Sequence, residues 1–280
     1  MRIITQEQLE SYRGYLIDDE KSAATVNKYF RDVQNLFAWV SCREIDKTTI
    51  LAYKIHLVEN YAPSSVNAAL SSINSFFHYV GWYDLCVKSV KIQRQAFVSD
   101  EKELSKMEYQ RLLQAAQDKR NVRLCLLMQT ICSTGIRVSE LRYITVGAIG
   151  KMRADICCKG KRRTVFLPDA LCQMLRQYIF EKKIKEGPVF VTKNGKPLDR
   201  SNIWSDMKKL CRAANVSEQK IFPHNLRHLF ARTYYTSQKD IVRLADILGH
   251  SSVNTTRIYT MESGMTHRRQ IQNLDLLRRY

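Results

Sequence analysis

A mainly α-helical protein with one small β-sheet, built as an N-terminal helical bundle followed by a mixed α+β domain, is what the sequence predicts, and three observations carry that prediction. Apolar residues recur at the i, i+3, i+4, i+7 spacing of helices through most of the chain. One stretch, Arg153 to Pro168, instead holds two short β-prone runs around Lys159-Gly160-Lys161 and reads as a hairpin. The charge is also uneven: residues 1–98 carry 11 Lys and Arg against 10 Asp and Glu, a net of +1, so +17 of the formal +18 falls in 99–280.

Taken in order, Thr5 with Gln8 forms the pattern of a capping box and opens a first helix. Val26, Tyr29, Phe30, Val33, Phe37 and Val40 mark a second. Thr48 or Thr49 is expected to cap a third. Pro63-Ser64-Ser65 starts a fourth, with Val66, Leu70, Ile73, Phe77 and Val80 on its apolar stripe. These four make a helical domain over residues 1–90. The charged segment Lys88 to Glu103 has no apolar period, which places a linker at 91–103 and a second domain at 104–280. That domain opens on Ser105 with Glu108 three residues later, the pattern of another capping box, ahead of an amphipathic helix through Ala116. A buried helix over about 121–134 follows, then the hairpin. From Asp169 the pattern is helical again, apart from the turn-rich Lys193-Asn194-Gly195-Lys196-Pro197.

Composition excludes several classes. The longest uninterrupted apolar run, Leu124 to Met128, is far short of the roughly 20 residues of a membrane span. The N-terminus turns polar too soon for a signal peptide, so a cytoplasmic protein is expected. The eight cysteines are scattered and contain no CxxC pair, which argues against both a disulfide framework and a zinc site. There is no GxxxxGK[ST], GxGxxG, HExxH or calcium loop, so neither cofactor nor metal is expected. The basic balance instead favours a polyanionic partner, most often nucleic acid.

Within the basic domain, chemistry-bearing residues fall in ordered groups. Arg137 follows a buried helix and Gly135, which permits a tight turn. His224 and Arg227 sit i, i+3 on a helix near Pro223 and share one face. Gly249-His250 ends another helix, with Tyr259 nine residues on. Two arginines, one or two histidines, a hairpin lysine and a tyrosine form an apparatus suited to phosphodiester transfer without metal. Guanidinium groups can bond the non-bridging oxygens of a pentavalent phosphorane. A phenol can serve as nucleophile, and a lysine or histidine can protonate the leaving oxygen.

Three of these groups give the chain a resemblance to the tyrosine recombinase family, the phage-integrase and Xer-type site-specific recombinases. TGIRVSEL (Thr134–Leu141) is similar to the family's first catalytic-arginine box, HNLRHLFA (His224–Ala231) to its HxLRH box, and LGHSSVNTTRIYT (Leu248–Thr260) to the segment bearing the second histidine and the nucleophile. The resemblance implies a SAM-like core-binding bundle ahead of a tyrosine-recombinase catalytic domain. It implies that Arg137 and Arg227 clamp the scissile phosphate, that His224 and His250 transfer protons and position groups, and that Tyr259 attacks to give a 3′-phosphotyrosyl bond and a free 5′-hydroxyl. Glu140 would buttress the site from behind. The general acid for the leaving oxygen would be Lys159, with Lys161 the reserve, because Cys158-Lys159-Gly160-Lys161-Arg162-Arg163 is one residue shorter at the turn than the family's pattern.

The implied partners are double-stranded DNA with an inverted-repeat core site and three further copies of the chain in a tetrameric synapse. Accessory proteins are a further class that the resemblance leaves open. Ile271, Leu274, Leu276 and Leu277 form an apolar strip that would dock a C-terminal helix on a neighbour, or pack in cis. Because the chain begins almost directly with the core-binding helices, a compact Xer-type or mobile-element recombinase is expected. Competing readings are cleavage and religation of the type IB topoisomerase kind, which needs no synapsis, and a catalytically silent DNA-binding regulator.

Overall fold

The computed structural model describes residues 2–41, 43–92, 103–158, 161–192, 194–259 and 271–274. The chain divides into two compact units, Met1–Arg94 and Gln95–Tyr280. Among the described residues no helix is long and apolar enough to cross a membrane. Of the expected linker at 91–103, only Lys91, Ile92 and Glu103 are described.

The first unit is a bundle of α1 (Gln6–Asp18), α2 (Ala23–Val40), α3 (Lys47–Asn60) and α4 (Pro63–Tyr79). The Thr5 hydroxyl accepts from the Gln8 amide while the Gln8 side chain accepts from the Thr5 amide, closing the expected capping box. Pro63 occupies the first turn of α4, where its missing N–H costs nothing. α3 departs from expectation. Its cap is Asp46, whose carboxylate accepts from both the amide and the hydroxyl of Thr49 at 2.7 Å. A carboxylate also complements the positive end of the helix dipole, which a threonine hydroxyl does not.

Leu9, Tyr12, Leu16, Val33, Leu36, Ile50, Leu70, Ile73, Phe76 and Phe77 are buried at the centre of this bundle. Leu36 takes a core position that leaves Phe30 and Phe37 at the margin, only partly buried. The bundle holds one buried carboxylate, Asp32, which accepts from Lys28 and, at 2.7 Å, from Ser72.

The second unit begins with α5 (Lys106–Asp118), opened by the Ser105–Glu108 capping box, and the buried α6 (Val122–Thr134). A 3₁₀ segment (Val138–Tyr143) and the short α7 (Val146–Gly150) lead to the hairpin of β1 (Arg153–Cys158) and β2 (Lys161–Phe166). The strands are antiparallel, with Arg153 opposite Phe166, Ile156 opposite Arg163 and Cys158 opposite Lys161. Then come α8 (Asp169–Glu181), α9 (Arg200–Lys208), α10 (Cys211–Ala214), α11 (Pro223–Gln238), α12 (Ile241–Leu248) and α13 (Val253–Thr256). Pro223 is itself the first residue of α11, with Phe222 as its N-cap.

One large core joins α5, α6, the hairpin, α8 and the start of α11 through Leu112, Leu127, Met128, Ile131, Ile156, Leu175 and Leu226. A smaller cluster of Ala231, Leu244, Leu248 and Tyr259 ties α11 to α12 and to the 3₁₀ turn at Arg257–Tyr259.

Candidate active site

The site is assembled around the C-terminal end of α12. α6 stops at Gly135, which takes the left-handed conformation at φ 65°. A Cβ there would lie 2.5 Å from the Phe230 ring, so both the backbone and the packing demand glycine. The turn sends Arg137 out of the core with its side chain 38% exposed. Glu140, one 3₁₀ turn later, is 2% exposed. Its carboxylate accepts from the Arg137 amide at 2.8 Å, from Arg137 Nη1 at 2.9 Å and from Arg163 Nη2 at 2.6 Å. Burial pushes the Glu140 pKa up, but the Arg137 bonds and the Arg163 charge outweigh it and hold the carboxyl below its usual range.

Arg227 lies on α11 and is 1% exposed, a cation inside the fold. Its Nη1 donates to the Gly135 carbonyl at 2.6 Å, and its Nη2 to the Leu248 carbonyl at 2.7 Å and to His250 Nε2 at 3.1 Å. Its buried Nε has no acceptor among the described residues. Burial, then the neighbouring Arg137, lowers its pKa to about 10, so it remains charged at neutral pH.

Three consecutive carbonyls at the end of α12 each accept from a different arginine: Ile247 from Arg163, Leu248 from Arg227 and Gly249 from Arg137 at 3.2 Å. The last carbonyls of a helix lack partners within it and carry the negative end of its dipole. Guanidinium groups meet both requirements. Gly249 itself sits at φ 65°, and a Cβ there would come within 2.5 Å of Arg163 Cδ.

His250 follows directly. Because arginine can only donate, His250 Nε2 is the acceptor and Nδ1 carries the proton, donating it to Thr256 Oγ1 at 2.8 Å. Burial and the Arg227 charge bring its pKa down to about 4, which keeps the ring neutral.

Tyr259 is 4% exposed, with its ring stacked on His250 at 5.8 Å between centroids. On another side it meets His228 edge-on at 4.7 Å, and His228 in turn meets His224 edge-on at 4.7 Å. The four rings form a continuous ladder. Burial, then the Arg227 charge, lowers the His224 pKa, and burial takes that of His228 to about 3. All three imidazoles are therefore neutral at pH 7. The Tyr259 ring is thus flanked by two neutral imidazoles, His250 and His228.

Of the residues singled out in the sequence, Arg137, Glu140, Arg227 and His250 are joined by hydrogen bonds or by a shared acceptor segment, and His224 and Tyr259 by ring contacts. Lys159 lies outside the described residues, and Lys161 is the first residue of β2. Of the C-terminal strip only Ile271 and Leu274 are described, both exposed; Leu276 and Leu277 lie outside. Three site residues were not anticipated: Arg163, His228 and Thr256. His228 had a visible signal, since it is i+4 from His224 and shares its helix face.

Comparison with known proteins shows the family of the chain. The family model described as "Phage integrase family" matches residues 102–264, and "Phage integrase, N-terminal SAM-like domain" matches 9–82. The tyrosine recombinase XerD of Halalkalibacterium halodurans is 28% identical over 258 residues, covering 84% of this chain and 86% of that protein. The tyrosine recombinase XerA of Thermococcus kodakarensis is 28% identical over 264 residues, covering 91% and 90%. Among solved structures, a lambda integrase dimer bound to a COC′ core site superposes with a TM-score of 0.74 at 17% identity, covering 92% of this chain and 95% of the other. The XerH recombinase bound to its difH substrate superposes with a TM-score of 0.71 at 20% identity, covering 91% and 82%.

Proposed function

The chain belongs to the phage integrase family of tyrosine recombinases, and from that premise we propose that it cleaves and rejoins DNA at a specific site through a phosphotyrosyl intermediate on Tyr259. The observation that carries this reading is the junction at the end of α12, where Arg137, Arg227 and His250 are bonded into one unit against which the Tyr259 ring stacks.

The scissile phosphate would bind at the partly exposed Arg137 and beside Arg227. Oη of Tyr259 attacks phosphorus, forming the P–O bond of a 3′-phosphotyrosine while the bond to the 5′-oxygen breaks. The phenolic proton passes to a neutral imidazole, and the leaving 5′-oxygen takes a proton from the hairpin lysine, Lys159. The two guanidinium groups hold the charge that builds on the non-bridging oxygens. The reverse attack by the 5′-hydroxyl of a partner strand restores the DNA, and no energy source is needed because the phosphodiester is conserved. His250 accepts from Arg227 while donating to Thr256, which fixes the guanidinium against rotation.

Strand exchange requires a second duplex. The proposed assembly is a tetramer of this chain on two DNA sites, each an inverted repeat, with the C-terminal strip around Ile271 and Leu274 docking on a neighbour. The proposed location is the cytoplasm. The domains proposed for these tasks are 1–90 for the core site and 104–280 for the chemistry. The +17 charge of residues 99–280 supplies most of the grip on the phosphate backbone.

The test is a nicked duplex, selected from a random-sequence pool by covalent capture on the wild-type chain. The wild type should form a covalent protein–DNA adduct and, with two sites, recombinant junctions. Tyr259→Phe should bind the same duplex and form neither. Undiminished adduct in that variant rules the reading out.

A further inference from the structure

The hairpin contributes a second functional group besides its lysine. Arg163 stands opposite Ile156 in the β1–β2 ladder, on the face that also carries the buried Ala154 and Val165. An apolar residue is the expected occupant of such a position. Instead the guanidinium enters the interior with its side chain 13% exposed, donates to Glu140 at 2.6 Å and donates to the Ile247 carbonyl.

Both acceptors lead to reacting groups. Glu140 is the carboxylate that bonds Arg137 through its amide and its guanidinium. Ile247 is followed by Leu248, whose carbonyl holds Arg227, by Gly249, whose carbonyl holds Arg137, and by His250. The close fit between Gly249 and Arg163 Cδ leaves no space for a Cβ, so the turn that presents His250 is shaped around the Arg163 stem.

We propose that Arg163 is a positioning residue for strand cleavage: it locks the lysine-bearing hairpin to Glu140 and to the end of α12, and so sets the spacing between the hairpin and the two phosphate-binding arginines. The inference rests on the recombinase reading and extends it to a residue outside the clamp. The acceptors of Arg163 are Glu140 and the Ile247 carbonyl. Its removal leaves Glu140 paired with Arg137 but frees the hairpin from the arginine junction. Misplacing a catalytic group by about 1 Å costs on the order of 100-fold in rate.

The experiment is single-turnover cleavage of the same captured nicked duplex, measured across DNA concentrations for wild type, Arg163→Met and Arg163→Lys. Methionine fills much of the volume without the charge; Glu140 keeps Arg137 as its partner but the Ile247 carbonyl loses its donor, so some loss of stability is expected and is read separately from the rate. Lysine keeps the ion pair with Glu140 but lacks the planar fork that serves two acceptors at once. Arg163→Met should cleave about 100-fold more slowly at saturating DNA, with DNA affinity within about twofold of wild type, and Arg163→Lys should fall between the two. The thermal midpoint of each variant is measured alongside, and if Arg163→Met does not fold, a slowed Arg163→Lys of unchanged affinity carries the result. Wild-type cleavage rates in both variants overturn the proposal, as does a loss that appears only in affinity or that tracks the fraction unfolded. Absence of adduct in the wild type would instead overturn the recombinase reading itself.

Discussion

The two units bury charge in opposite ways. Among the described residues the N-terminal bundle holds a single buried carboxylate, Asp32, and partners it locally with Lys28 four residues away and with Ser72 on the adjoining helix. The rest of its interior is aliphatic and aromatic, and its net charge is close to neutral. The second unit draws Arg227, Arg163 and Glu140 inside and points the two arginines, with Arg137, at one helix end. Burying unpaired cations is costly, and here the offset comes from carbonyls and one carboxylate arranged over three separate segments of chain. The lesson is that the first unit spends its interior on cohesion, and the second gives up part of its interior to hold a cationic cradle rigid.

That contrast can be broken most directly at the arginines. Arg137→Ala should slow cleavage by about 100- to 1,000-fold, because it removes a donor to the charge developing in the transition state. It should cost little stability, since the side chain is partly exposed and Glu140 keeps Arg163. Arg227→Ala should lose as much activity and also lower the thermal midpoint of the second unit. It strips the partner from the Gly135 and Leu248 carbonyls, at about 1–3 kcal/mol for each buried group left unpaired. Equal stability of the two variants would show that burial does not separate the two arginines. In the first unit, Phe76→Ala removes a fully buried ring and should cost about 3–5 kcal/mol of that unit's stability. It should weaken DNA binding while leaving the saturated cleavage rate within about threefold, since a remote core change leaves the transition-state contacts in place.

A smaller effect follows from pH. The pKa values of His228 and His250 are brought from the ordinary 6.5 to about 3 and about 4. Between those values the unfolded chain binds protons that the folded unit excludes, so proton uptake favours unfolding. Stability from these two groups is complete above pH 6.5 and declines as pH falls toward 4. Urea unfolding followed separately in the two units should therefore show an acid loss from these two histidines in the second unit, and its absence there would contradict their lowered pKa values.

Much of this was legible in the sequence, for identifiable reasons. Helical period, capping pairs such as Thr5–Gln8 and Ser105–Glu108, and Pro63 at a first turn are local signals read without knowing the partner surface. The arginine, histidine and tyrosine positions were found from the order and spacing of three motifs. Arg163 was missed because its role depends on hairpin register: a one-residue slip would place it on the outer face with Arg162. Thr256 was missed because nothing local marks a buried hydroxyl as the acceptor of a histidine proton. Asp46 displaced Thr48 and Thr49 as a cap because its charge suits the helix end better than a hydroxyl does.

The central claim is that Tyr259, one of 14 tyrosines, is the atom source of the covalent bond to DNA. Proteolysis of the trapped adduct followed by mass spectrometry of the nucleotide-bearing peptide tests it most directly. The account predicts a single modified peptide containing Tyr259, linked to a 3′-phosphate. A nucleotide on Tyr280 or any other tyrosine, or linkage to a 5′-phosphate, would contradict it.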